Sequence, residues 1–180
     1  NVPADKIGAS KKLQWLQLNS AGADAYTGQG ILDENTVVTT ANGAYGKTVS
    51  EHMFAMLLAM QKKLHLYRDS QNKHIWDEHG TVTSIADSTV LIFGMGDIGR
   101  HFAKMAHALG AYVIGVKKSP GNCPEYIDEP HLMKDCRELL PHADVVVSFL
   151  PSTPETRGLF DKELFHLMKP GAFFLNGGRG

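Results

Sequence analysis

A doubly wound α/β fold built on a parallel sheet is predicted by three observations. Apolar, strand-like runs alternate with helix-period segments from about residue 89 onward, the pattern of βαβ units. A glycine-rich turn, Gly94-Met95-Gly96-Asp97-Ile98-Gly99, joins one such strand to one such helix. The run Val145-Val146-Val147-Ser148-Phe149-Leu150 is almost continuously apolar, as a strand buried on both faces must be.

The chain has 180 residues, of which 43% are hydrophobic, enough for one generous domain or one domain plus part of another. A net charge of −1 provides no field to recruit nucleic acid or an anionic membrane, so neither is expected as a partner. The longest apolar run, Met53 to Met60, falls far short of the ~20 residues a membrane-spanning helix needs. No signal-peptide pattern opens the chain, and a start at Asn1 with a stop at Gly180 reads as an excerpt of a longer protein. Cys123 and Cys136 are too far apart for a C-x-x-C motif and read as free thiols of a cytoplasmic protein. None of the nine histidines shows a metal-ligand spacing, so no metal site is expected.

Taken in order, Leu13 to Leu18 alternates as a half-buried strand and runs into the small-residue loop Asn19 to Asp24. Val37 to Thr40 is a second short strand, broken at Asn42-Gly43. From Thr48 a single long helix is predicted, with Met53, Met56, Leu57, Met60, Leu64 and Tyr67 on its apolar stripe and Trp76 packed at its end. A domain boundary falls between Asn42 and Lys47, separating a partial domain at 1–45 from a larger one at 46–180. Strand 89–93 and helix 98–109 follow, the latter with Ile98, Phe102, Met105 and Leu109 on one stripe and Gly110 as a left-handed stop. Strand 111–116, strand 145–150, a helix near Asp161 to Met168 and strand 172–175 complete the pattern.

The glycine turn is the strongest chemical signal, because strand, turn and helix stand in register around it. Gly94 permits the turn, Gly96 lets backbone approach a diphosphate, and Gly99 lets helix and strand pack closely. Free N–H groups at the helix start then face the phosphates. A carboxylate at the end of the second strand holds the ribose 2′-hydroxyl in NAD sites. Here that place reads Lys117-Lys118-Ser119, which favours NADPH while leaving NADH possible. An ordinary solvated turn is the alternative for the two lysines.

Asn176-Gly177-Gly178-Arg179-Gly180 stands at the carboxyl end of the last strand, where open α/β sheets bind ligands. The arginine fork matches a carboxylate bidentately. Spacing alone favours a surface arginine; its place at the strand end narrows that preference without reversing it. Ser20-Ala21-Gly22 offers a weaker signal, successive amides able to form an anion nest.

Together these segments resemble the D-isomer-specific 2-hydroxyacid dehydrogenase family, including its glyoxylate/hydroxypyruvate reductase and phosphoglycerate dehydrogenase branches. The similarity is carried by Leu13 to Asp24, Val49-Ser50-Glu51-His52, Gly94 to Arg100, His142 to Phe160 and Leu175 to Gly180. It implies a Rossmann-type dinucleotide-binding domain at 46–180 and part of a flavodoxin-like substrate domain at 1–45. It implies hydride transfer between NAD(P)H and a small 2-oxo acid or D-2-hydroxy acid.

By the same resemblance, Asp97 and Ile98 sit against the diphosphate, and Lys117, Lys118 and Ser119 lie near the adenosine ribose. Leu150, Pro151 and Thr156 line the cofactor on the third-strand side, Val49 touches the nicotinamide end, and Gly177 and Gly178 pass beside its ribose. Arg179 corresponds to the family's substrate-binding and catalytic arginine, and Ala21 and Gly22 to loop amides that hold the substrate carboxylate. The helix from Thr48 is the family's usual dimer element. The family's acid/base histidine and its glutamate lie downstream of the arginine, and no histidine here matches them. This stretch by itself is therefore expected to bind nucleotide weakly and not to turn over. A nucleotide-sensing corepressor-like protein of the same fold is the alternative to an enzyme.

Overall fold

The computed structural model describes residues 3–7, 10, 12–26, 28 and 30–178. The chain divides into two compact units, Asn1–Tyr45 and Gly46–Gly180.

The first unit contains the short helix α1 (Ala4–Ile7) and two parallel strands, β1 (Trp15–Gln17) and β2 (Val37–Thr39). Ile7, Leu18 and Tyr26 form its small core. Trp15 stays exposed, its indole N–H donating 2.8 Å to Thr39 Oγ1, so the buried end of this strand is Leu18 rather than the tryptophan.

The second unit opens with α2 (Gly46–Gln61) and α3 (Leu64–Asn72). The single helix expected from Thr48 is therefore two. Lys63 adopts a left-handed backbone (φ 53°), which no α-helix can continue. Both flanking lysines help hold the break: Lys62 Nζ donates to Thr83 O at 2.7 Å and Lys63 Nζ to His79 O, tying the returning segment to the kink. The buried stripe of α2 also differs from the expected one, running Ser50, Phe54, Leu57, Gln61. Beyond the kink the chain leaves the core, so Leu64 and Tyr67 are exposed and Trp76 is fully exposed rather than packed. No helix among the described residues is long and apolar enough to cross a membrane.

The sheet consists of β3 (Thr89–Phe93), β4 (Tyr112–Lys117), β5 (Glu129–Leu132), β6 (Val145–Ser148) and β7 (Phe173–Asn176). All neighbours pair in parallel in the order β5-β4-β3-β6-β7. α4 (Asp97–Ala108) connects β3 to β4; the short α5 (Cys136–Leu139) and α6 (Lys162–Leu167) precede β6 and β7. Gly110 takes φ +88° just past α4, as a left-handed stop should. Two elements of this unit go beyond the sequence reading: β5, an edge strand that tolerates Pro130, and α5; in the first unit α1 does too.

Alternate residues of each central strand enter opposite layers. Val90, Ile92, Val113, Val145 and Val147 pack with Phe54 and Leu57 of α2 and Phe102, Ala103 and Ala106 of α4. Leu91, Phe93, Ile114, Val116 and Val146 pack with Cys136 and Leu139 of α5 and Leu164 of α6. The sheet is thus covered on both faces, the doubly wound arrangement. Successive strands grow outward from β3 to one side and then, from β6, to the other. The switch point between β3 and β6 is where such sheets bind ligands, outside their carboxyl ends.

The opposite edge of the sheet is stapled by Asp144. Its Oδ2 accepts the Thr89 N–H at 2.8 Å and its Oδ1 the Lys169 ammonium at 2.8 Å. Burial pushes this carboxyl up, but Lys169 and the Thr89 amide outweigh it and hold the group below the usual carboxylate range. A depressed folded value stabilises the protein above the range where the unfolded carboxyl titrates. That contribution disappears as pH falls through the folded value. Asp144→Ala is expected to cost about 1 kcal/mol in urea unfolding at neutral pH, the pair being partly solvent-screened, and the gap to wild type should narrow on acidification.

Candidate functional site

At the carboxyl end of β3 the chain turns on Gly94, whose φ of +91° lies in the left-handed region. Its N–H donates to Val116 O at 3.1 Å, which keeps the turn tied to β4. A Cβ at Gly94 would stand 3.0 Å from the carbonyl carbon and oxygen of Phe149. Gly99, in the first turn of α4, approaches more closely still: a Cβ there would lie 2.1 Å from Gly94 O. Gly96 differs from both, since nothing stands within 4 Å of its Cβ position. One glycine makes the turn, one seals the helix onto it, and the third leaves open space above the helix start.

α4 begins at Asp97 with Gly96 as its N-cap, so the first amides of the helix have no partner within it. Arg100 folds back, its Nε donating 3.1 Å to Met95 O, and braces the turn from outside. Open backbone at Gly96, free amides and the positive end of the helix dipole fit a diphosphate.

Phe149, just past β6, was not singled out by the sequence, yet both glycine turns rest on it. A Cβ on Gly177 would lie 2.8 Å from its ring, and one on Gly178 would lie 2.4 Å from Leu150 O. The turn after β7 is fixed by Gly177 N–H to Ser148 O (2.9 Å) and Gly178 N–H to Asn176 Oδ1 (3.0 Å). The two glycine turns are brought together across the 149–150 backbone. Nothing local in the sequence marks Phe149, because its role depends on segments more than fifty residues before and about thirty after it.

The other expected residues surround these turns. Leu150 is buried, and Pro151 to Thr156 forms a loop closed by Thr156 Oγ1, which donates to Pro151 O at 2.5 Å and accepts the Thr153 N–H at 2.9 Å. Ile98 lies half-buried in the first turn of α4, and Val49 half-buried in the first turn of α2. Lys117 ends β4, but its ammonium is held by Gly121 O at 2.6 Å and Asn122 O at 3.4 Å. Lys118 and Ser119 are exposed beyond it. Glu155 has its carboxyl held low by a hydrogen bond from Thr153, by its own amide and by the charge of Lys118. Lys118 is exposed, and its charge acts on Glu155 of the β6 loop.

Ala21 and Gly22 belong to the first unit, where Ser20 Oγ donates to Gly22 O at 2.8 Å. Arg179 lies outside the described residues.

The family profile of the D-isomer specific 2-hydroxyacid dehydrogenase, NAD binding domain, matches residues 54–180. The chain belongs to this family. It is 33% identical to the D-3-phosphoglycerate dehydrogenase of Mycobacterium bovis over 187 aligned residues, which cover 99% of this chain and 34% of that one. Among solved structures, a D-isomer specific 2-hydroxyacid dehydrogenase family protein from Aeromonas salmonicida is 35% identical with a TM-score of 0.85, covering 94% of this chain and 54% of the other. The NADPH-dependent glyoxylate/hydroxypyruvate reductase of Sinorhizobium meliloti, solved with NADP and sulfate, is 29% identical with a TM-score of 0.82; 98% of this chain and 57% of that one are covered. This member of the family therefore spans about a third to somewhat over half the length of these relatives. Family membership identifies the β3–α4 turn as part of a nicotinamide-dinucleotide-binding domain.

Proposed function

We propose that the protein binds NADPH in preference to NADH and transfers a hydride between the nicotinamide and a small 2-oxo acid or D-2-hydroxy acid. The observation that carries this reading is the pair of glycine turns meeting over Phe149 at the β3/β6 switch point. The bound nicotinamide supplies the hydride. The protein's own residues bind, orient and exclude water.

In this reading the amides of Gly96, Asp97 and Ile98 hold the diphosphate, and Leu150, Pro151 and Thr156 line the cofactor on the β6 side. Gly177 and Gly178, having no side chains, leave a flat passage for the nicotinamide ribose, with Val49 at the ring. Arg179 grips the carboxylate and carbonyl oxygen of the substrate through its two-pronged donor face. Ala21 and Gly22, in the 1–45 unit, offer backbone amides suited to a substrate carboxylate.

The preference for NADPH rests on the end of β4, where Lys117-Lys118-Ser119 carries no carboxylate of its own and Lys118 and Ser119 are exposed. The Sinorhizobium relative, named as NADPH-dependent, is consistent with it. A cytoplasmic homodimer through α2 and α3 completes the proposal. Met56, Leu64 and Tyr67 on these helices, and Ile75 and Trp76 just after them, are exposed apolar side chains that such an interface would cover.

The test is the oxidation of NADPH and NADH by the intact protein given glyoxylate, hydroxypyruvate and related acids. NADPH should give the higher kcat/KM by about 10-fold or more, and Lys118→Ala should erase most of that ratio. Equal rates with both nucleotides would remove the preference. Tight nucleotide binding without turnover on any 2-oxo acid would point instead to a nucleotide-sensing protein.

A further inference from the structure

An acid stands where the diphosphate's negative charge is expected, and the structure has a place to put it. Asp97 is the first residue of α4, so its backbone amide and its carboxylate belong to the same mouth. Free carboxylate there would compete with a diphosphate for the amides and the helix dipole, and would repel it. The side chain turns aside. Its carboxyl carbon and both oxygens lie 2.2–2.4 Å from where a Cβ on Gly46 would stand.

Gly46 is the buried first residue of α2, packed beside α4 through Phe54 and Phe102, whose rings meet at 5.1 Å. Within this pocket Oδ2 of Asp97 is buried and takes no hydrogen bond, while Oδ1 is 3.6 Å from His101 Nε2 one turn on. The carboxylate therefore fills the volume that any side chain at residue 46 would need. The carboxylate lies beside the first residues of both α2 and α4.

We infer that Gly46 is a positioning residue for nucleotide binding: by having no side chain it gives the Asp97 carboxylate a seat away from the phosphates. The inference rests on the diphosphate reading of the β3–α4 turn. A methyl group at residue 46 would evict the carboxylate. Displaced from that seat, it has to take another staggered rotamer, and the space beside Gly96, where no atom stands within 4 Å of a Cβ position, is open to it.

The test is a set of variants of the intact protein, Gly46→Ala, Asp97→Asn, the double variant and Asp97→Glu, titrated with ADP and with NADPH by calorimetry. Gly46→Ala should weaken ADP binding by about 10-fold or more, from a displaced like charge near the diphosphate. Asp97→Asn, which keeps the backbone amide and removes the charge, is the charge-free reference for the pair. The double variant should return to within about 3-fold of Asp97→Asn, because asparagine has the shape of aspartate without its charge. Asp97→Glu, too long for the seat, should weaken ADP binding with Gly46 intact, so the idea stays testable even if Gly46→Ala folds poorly.

A double variant as weak as Gly46→Ala would mean that bulk alone matters, and the seat would be wrong. Unchanged binding in Gly46→Ala or in Asp97→Glu would contradict it equally. Wild-type protein that binds neither ADP nor NADPH would overturn the diphosphate reading together with this inference. Wild-type binding without rescue removes only the seat.

Discussion

Gly99→Ala is expected to reduce nucleotide affinity by about 100-fold or more and to lower stability by about 3 kcal/mol. Its methyl carbon would start 2.1 Å from the Gly94 carbonyl oxygen, and that atom is backbone, with no rotamer to yield. α4 would have to move outward from β3 by more than an ångström. Such a shift loosens Phe102, which is fully buried against Phe54 and Phe149, and it moves the amides at the start of α4 away from their target. Urea unfolding reads the first effect, and titration with NADPH reads the second. An unchanged midpoint with unchanged affinity would mean that the close approach of helix and strand has no energetic consequence.

Arg179→Ala is the second large effect. Turnover of a 2-oxo acid by the intact protein should fall by about a thousand-fold in kcat/KM, since a charge-assisted, bidentate contact to the reacting acid is lost. NADPH affinity should stay within about 3-fold, because the backbone that passes the cofactor is set before residue 179. Gly178 is pinned by the hydrogen bond from its N–H to Asn176 Oδ1 and has no room for a side chain over Leu150. Arg179→Lys should recover little, as an ammonium presents no planar fork. Steady-state kinetics beside a nucleotide titration separates the two quantities. A loss of NADPH binding equal to the loss of turnover would assign the arginine to the cofactor instead.

How much of this could be read in the sequence follows from how local each requirement is. The β3–α4–β4 unit was legible because its signals are near neighbours: an apolar run, three glycines at fixed offsets, one helical stripe and Gly110 with its positive φ. The break at Lys63 was not, because neither glycine nor proline marks it. What accompanies it is two lysine side chains reaching carbonyls at His79 and Thr83, far along the chain. Edge strand β5 was hidden by its own composition, Glu129-Pro130-His131-Leu132, which reads as a loop until β4 pairs with it.

The candidate site divides the same way. The glycines announced themselves, whereas Phe149, the surface they share, looked like one more residue of a buried strand. Lys117 and Lys118 are indistinguishable in sequence. Only the fold separates them, by committing Lys117 to the carbonyls of Gly121 and Asn122 and leaving Lys118 exposed toward Glu155.

The most direct test of the account is an amide-resolved NMR titration of the protein with NADPH. Saturable shifts should be largest at the N–H groups of Gly96, Asp97, Ile98 and Gly99, with a second set at Gly177 and Gly178 beyond the Phe149 wall. Binding that leaves those amides unmoved, or that shifts residues at the Asp144–Lys169 edge of the sheet instead, would contradict it.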